Sequence, residues 1–178
     1  MSYITTYSNI KMDPLTPDPK DIEIVDIAHA LSLLCRANGH FPHFYSVAQH
    51  CVNCVNEAIA RGFSKRVQLA CLLHDASEAF ISDITRPVKK SLPTYLAIEK
   101  ALQTVIYQKY LPFPLTEAEL SKVSEIDDTL LYHEFWMISG RKLSDSKPPL
   151  YSKPQFDFVD FAVTENQFLQ HFQRLYQK

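Results

Sequence analysis

The chain has 178 residues, 46% of them hydrophobic and 21% charged, proportions that suit one ordinary globular domain with a core of its own. Its 18 basic and 20 acidic side chains give a formal net charge of −2, which argues against a nucleic-acid polymer as the main partner yet leaves room for a basic pocket around one phosphate. Only three glycines occur, at 39, 62 and 140, so no glycine-rich phosphate loop is present; there is also no cationic leader and no run of ~18 apolar residues, and a cytoplasmic protein without a membrane span is expected.

Residues 1–22 form an extended N-terminal segment. Tyr3-Ile4-Thr5-Thr6-Tyr7-Ser8 can make a short strand, and the three prolines of Asp13-Pro-Leu-Thr-Pro-Asp-Pro19 demand extended or turned backbone. A helix is predicted over 23–36 from Ile24, Ile27, Ala28, Leu31 and Leu34, ending near Asn38-Gly39. A second, over 44–60, repeats Val47, Cys51, Cys54, Val55 and Ile59 before Gly62. Ser64 suits the N-cap of a third running to Ala79, with Val67, Ala70, Cys71 and Leu73 inward. Pro93 opens a fourth over 93–110, and Pro112 stops it. Thr116 and Glu119 form a capping box for a fifth that reaches Ser139. A polar loop over 141–154 leads to a last helix, 158–176, with Phe161, Phe168, Phe172 and Leu175 along one side. These elements predict a single all-α domain over 1–178, a helical bundle with room for a short N-terminal β element. The aromatic C-terminal helix and the 93–110 helix offer faces for a homodimer.

Chemistry concentrates on three of the helices. His50 lies in the second, the adjacent His74 and Asp75 lie toward the end of the third, and Asp127 with Asp128 beside it lies in the fifth. Facing helices of a bundle commonly build metal sites from such positions. Two imidazoles and two carboxylates make a mixed nitrogen–oxygen set for one divalent ion (Mn, Co, Fe, Zn, Ni or Mg), with water in the remaining positions. A structural zinc site would use thiolates more often, and Cys51-x-x-Cys54 has no second such pair, so its thiols are read as small apolar groups in a helix. His29, His40, His43, His133 and His171 have no partner at a suitable spacing.

The pattern His50, His74-Asp75, Asp127 resembles that of the HD-domain metal-dependent phosphohydrolases, and within them the small bacterial 5′-deoxynucleotidase-like members. His74-Asp-Ala-Ser-Glu78, Ser82-Asp-Ile84 and Pro87-Val-Lys89 are similar to the block that follows the HD pair in that subgroup. The opening segment, with Asp26-Ile-Ala-His-Ala-Leu-Ser32 and Phe44-Tyr-Ser-Val-Ala-Gln-His50, is similar to a further set of small HD hydrolases. The resemblance covers about residues 3–139 and implies an HD-domain helical bundle. It also implies His50, His74, Asp75 and Asp127 as metal ligands, Asp127 being favoured over Asp128 because Glu134 follows it at the family's spacing. Arg36 stands where those enzymes carry a substrate-facing arginine, whose guanidinium can grip two phosphate oxygens. Glu78, three and four residues beyond Asp75 and His74, is expected on their helical face as a general acid/base, with Asp83 orienting water or the leaving oxygen. Arg86 and Lys89 are read as solvated or helix-capping.

The implied activity is release of phosphate from (deoxy)nucleoside 5′-monophosphates by water activated at the metal. A pyrophosphohydrolase or phosphodiesterase using the same site is the alternative, and a nucleotide-binding regulatory domain is a third reading. Gln49 in place of an acidic residue before His50, together with the proline-rich entry, leaves the substrate open.

Overall fold

A computed structural model describes residues 3–176, and the described residues are mostly helical with a two-stranded hairpin at the N-terminal end. In the hairpin, β1 (Ile4–Thr5) pairs antiparallel with β2 (Lys11–Met12), Ile4 opposite Met12 and Thr5 opposite Lys11. Met12 is fully buried and so anchors the hairpin in the core. Tyr7 stacks on His29 at 3.7 Å between ring centroids, and His29 Nδ1 meets Glu165 Oε2 at 3.0 Å.

The helices are α1 (Ile24–Leu33), α2 (Val47–Ala60), α3 (Lys65–Leu73), α4 (Glu78–Ile81), α5 (Arg86–Lys89), α6 (Pro93–Tyr110), α7 (Glu117–Ser139) and α8 (Phe161–Leu175). Local chemistry starts most of the longer ones. Ser46 and Ser64 accept from the backbone N–H of Gln49 and Val67, Asp160 accepts from Ala162, and both halves of the Thr116–Glu119 capping box form. Gly140, at φ 69°, ends α7 in the left-handed conformation that costs glycine nothing. α2 occupies the middle, against α1, α3, α7 and α8, and Val47, Ala48, Cys51, Cys54, Val55 and Ala58 are its share of the buried cluster. No helix among the described residues is long and apolar enough to cross a membrane.

Three features depart from the helices predicted above. α1 stops at Leu33, and Arg36 lies beyond it in a 3-10 turn, Arg36–Gly39, where Ala37 and Asn38 both sit at φ 52°. The expected helix over 64–79 breaks after Leu73, so Glu78 does not share a continuous face with His74 and Asp75 but opens α4. Gln103 from α6 supports this break: its side-chain oxygen accepts from Ser77 N at 3.1 Å and its nitrogen donates to the Leu73 carbonyl at 2.7 Å. Phe161 at the start of α8 is exposed, whereas Phe168, Phe172 and Leu175 are buried as expected.

The stretch 148–157, which begins within the loop read over 141–154, is a strap laid across α2. Glu57, Asn53 and Gln49, spaced four apart on one face of α2, bind its backbone. Glu57 accepts from the N–H groups of Tyr151 and Ser152 and from the Ser152 hydroxyl; Asn53 exchanges hydrogen bonds with both backbone groups of Gln155; Gln49 donates to the carbonyls of Gln155 and Asp157. Gln49 thus points toward the strap rather than the cleft described below.

Candidate metal centre and its cleft

The four residues expected as ligands converge. His50 Nε2 lies 3.2 Å from His74 Nε2, 3.2 Å from Asp127 Oδ1 and 3.8 Å from Asp75 Oδ2, while His74 Nε2 lies 3.2 Å from Asp75 Oδ2 and 3.7 Å from Asp127 Oδ1. Adjacent ligand atoms around one cation with bonds of ~2.1 Å stand roughly 3.0–3.5 Å apart, so the spacing fits a single shared ion. They come from three different structural devices. His50 is on the central helix, His74 and Asp75 sit at the break after α3, and Asp127 is midway along α7. Asp128, beside it, is exposed and turned outward.

The tautomers follow from the outer hydrogen bonds. His50 Nδ1 is 2.5 Å from Glu134 Oε1, and His74 Nδ1 is 2.8 Å from the Cys71 carbonyl. Both partners accept, so in the neutral rings both Nδ1 atoms carry the hydrogen and both Nε2 atoms present bare lone pairs to one another. Two lone pairs and two carboxylates facing inward make a deficit of positive charge. Proton affinities report the same deficit. Burial and Arg36 oppose the imidazolium of His50, yet Glu134 and Asp127 outweigh them and raise its pKa; burial likewise opposes that of His74, and Asp75 and Asp127 raise it well above the ordinary value. Against burial, the two histidines hold the Asp127 carboxyl well below the usual range, and His74 does the same for Asp75.

Cysteines lie behind the histidines. His50, Cys54 and His74, and likewise Cys51, His74 and Asp75, have ligand atoms within 4.8 Å of one another. These buried His, Cys and Asp groups could hold a metal ion. Cys54 Sγ is 3.4 Å from Nε2 and 3.9 Å from Nδ1 of His50, the distances of an atom over the ring rather than along its lone pair. Burial pushes both thiols up, and they remain protonated. The carboxylate-bearing set is therefore the better-directed one.

A cleft of about 420 Å³ opens beside this cluster, with Asp75 and Asp127 in its wall. Arg36, Glu78, Asp83, Arg86 and Lys89 line it together with Phe41, Leu131 and Phe135. Arg36 is buried, donating from Nη1 to Asp75 Oδ2 at 3.2 Å and from Nε to Glu134 Oε2 at 3.3 Å. Glu78 is buried too; one oxygen meets Lys89 Nζ at 3.2 Å and the other has no partner. Burial, reinforced by Asp75 and Asp83, raises its carboxyl well above the glutamate range. Asp83 is half-buried, and its carboxyl is raised by burial with Arg36 acting against the rise. Ser82 before it holds φ 74°, a conformation a non-glycine residue adopts only under constraint.

Arg86 and Lys89 are not simply solvated or capping. Arg86 donates to Asp127 Oδ2 and Asp128 Oδ1, both at 2.6 Å, and Lys89 bridges Glu78 and Glu99. The sequence reading noted Glu134 only for its spacing, and its position seven residues from Asp127, two turns along α7, is what points it at His50. Among the other histidines, His43 and His133 bind the carbonyls of Phe156 and Pro148, and His171 contacts Arg174.

No family model matches the sequence. Two curated relatives are similar to part of it: YfdR of Escherichia coli, an uncharacterised protein, is 43% identical over 112 residues, which is 62% of this chain and 59% of that protein. An uncharacterised protein of Rhodobacter capsulatus is 38% identical over 122 residues, 62% of each. The matched stretch thus spans about three fifths of the length of these relatives.

Proposed function

We propose that this chain is a divalent-metal-dependent phosphohydrolase of the HD-domain kind that releases phosphate from (deoxy)nucleoside 5′-monophosphates. The observation that carries the reading is the pair of Nε2 atoms 3.2 Å apart, flanked by Asp75 and Asp127, beside a cleft that Arg36, Lys89 and Phe41 help to line. His50, His74, Asp75 and Asp127 would hold the ion. A divalent cation bound there supplies Lewis acidity, lowering the pKa of water and offsetting charge on a phosphoryl oxygen.

The protein's own groups supply the rest. Arg36 is kept cationic and directed by two carboxylates, so its remaining donors are preorganised for phosphate oxygens, where charge grows toward the transition state. The Glu78 carboxyl is pushed well above the glutamate range by burial and has one oxygen without a partner, which suits it to give a proton to a departing sugar oxygen. Asp83 is a further carboxyl of the cleft and suits the orientation of water or of that oxygen. Phe41, Leu131 and Phe135 offer an apolar wall to a nucleoside, and ~300–1,000 Å³ is the usual range for such sites.

A nucleotide panel assayed with Mn²⁺, Co²⁺ and Mg²⁺ tests the proposal. Inorganic phosphate from 5′-monophosphates supports it; nucleotide binding without turnover under every metal overturns it. An open groove shares Arg86, Leu131 and Leu143 with the cleft, is also lined by Glu125 and Asp128, and gives room for a larger substrate. Pyrophosphate release, or cleavage of an intact diester, would therefore favour a pyrophosphohydrolase or phosphodiesterase using the same residues.

A further inference from the structure

His50 is aimed by more than Glu134. Glu134 Oε1, which accepts from His50 Nδ1, also accepts from the Tyr45 hydroxyl at 3.0 Å. The Tyr45 oxygen in turn accepts from Asn53 Nδ2 at 2.9 Å, and the same nitrogen donates to the Gln155 carbonyl at 2.9 Å. Asn53 Oδ1 accepts from Gln155 N at 3.1 Å. All four side chains, His50, Glu134, Tyr45 and Asn53, are buried.

The chain of bonds has one polarity. Gln155 engages the Asn53 amide through both its backbone groups, so the amide cannot flip without losing two bonds. With Asn53 donating, the Tyr45 oxygen is occupied as an acceptor, and its proton has Glu134 as its partner. Arg36 Nε occupies the other Glu134 oxygen, which fixes the carboxylate in plane. Backbone pairing brings these groups together: Arg36 N donates to the Tyr45 carbonyl at 2.9 Å, and Val47 N donates to that of Leu34 at 2.9 Å. The loop between α1 and α2 is thereby closed with Arg36 and Tyr45 adjacent.

We infer that Tyr45 and Asn53 are positioning residues through which the strap at 148–157 sets the direction and tautomer of His50. The inference rests on the metal-centre reading above for its use, but not for its existence, since the bonds involve protein atoms alone. Partners beyond the ligands orient metal-binding imidazoles and commonly carry ~10–100-fold in affinity.

Two near-isosteric variants test it. Asn53→Asp replaces the donor by an acceptor, so the Tyr45 proton turns away from Glu134; Tyr45→Phe deletes the proton while keeping the ring. Glu57→Gln is the control, loosening the same strap elsewhere. The first readout is the far-downfield Nδ1–H resonance of His50 in metal-free protein; the second is Mn²⁺ affinity by calorimetry. Both variants are expected to shift the resonance and to weaken Mn²⁺ about tenfold. The double variant should be no worse than the poorer single, because both break one chain. A resonance unmoved in folded Tyr45→Phe overturns the inference, and so does an equal shift in Glu57→Gln. Wild-type protein that binds no metal would instead sink the metal reading, and the resonance would still decide the relay.

Discussion

The two sides of α2 bury polar groups in opposite ways. On one side Gln49, Asn53 and Glu57 meet the strap, and nearly every donor and acceptor there finds backbone of opposite sense. On the other side His50 meets His74, Asp75 and Asp127, where two imidazole Nε2 atoms face each other between two carboxylates. Burial of polar groups is stable only when their bonding is completed. The strap side is completed by the chain itself, whereas the buried groups of the cleft side could hold a metal ion. Burial alone therefore does not mark a functional cluster; the sign of the groups facing one another does.

The largest effect should come from breaking the cleft side. His74→Ala is expected to lower divalent-metal affinity more than ~100-fold, beyond what outer partners contribute, and to abolish phosphate release. Metal content after gel filtration and the nucleotide assay check both, and activity that survives would refute the site. The same variant should lose the stabilisation that saturating metal gives wild type, about 2.7 kcal/mol at a hundredfold excess over Kd.

Breaking the strap side should do the reverse. Glu57→Gln removes a buried carboxylate that accepts from Tyr151, Ser152 and Arg61, at a cost of about 2 kcal/mol in urea unfolding, while metal affinity stays within threefold. Loss of metal binding in this variant would erase the distinction between the two sides.

Acid should act on the strap side in the same direction but more gradually. Burial opposes the Glu57 carboxylate, but Ser152, Arg61 and Tyr151 outweigh it and hold its pKa below the ordinary 4.5. Because the unfolded chain binds the proton more readily, this contribution is fully present above pH 4.5 and fades as the pH falls through the lower folded value. Urea midpoints of wild type and Glu57→Gln should accordingly converge on acidification; a constant gap would contradict the assignment.

The smallest effect is expected at Asp128→Asn. Its carboxylate is exposed and paired only with Arg86, an arrangement worth ~0–1 kcal/mol, so metal affinity should change less than threefold. A large loss would move the fourth ligand from Asp127 to its neighbour.

The residues proposed as ligands could be named from the sequence because each is chemically distinctive and lies on a helix with clear periodicity or caps, or just beyond its end. His50, the His74-Asp75 pair and Asp127 needed no exact helix boundary to be found. The break after Leu73 was hidden, since His74-Asp75-Ala76-Ser77 contains neither Gly nor Pro and the supporting amide comes from Gln103, on another helix. The strap was hidden for a related reason: Gln49, Asn53 and Glu57 look like the polar face of a surface helix, and their partners are backbone atoms about a hundred residues away. Arg86 is exposed as read, but its ion pair with Asp127 and that of Lys89 with Glu78 were hidden, since only the fold brings those partners within reach.

The strap also bears on modularity. A version of this protein cut before residue 148 would keep α1 to α7 and every proposed ligand. It would nevertheless strip the backbone partners from Gln49, Asn53 and Glu57, leaving a wet, charged furrow along its central helix. It would remove α8 as well, with Phe168, Phe172 and Leu175 from the core. The part that carries the proposed site and the tail are therefore not separable units that could be shuffled or trimmed independently.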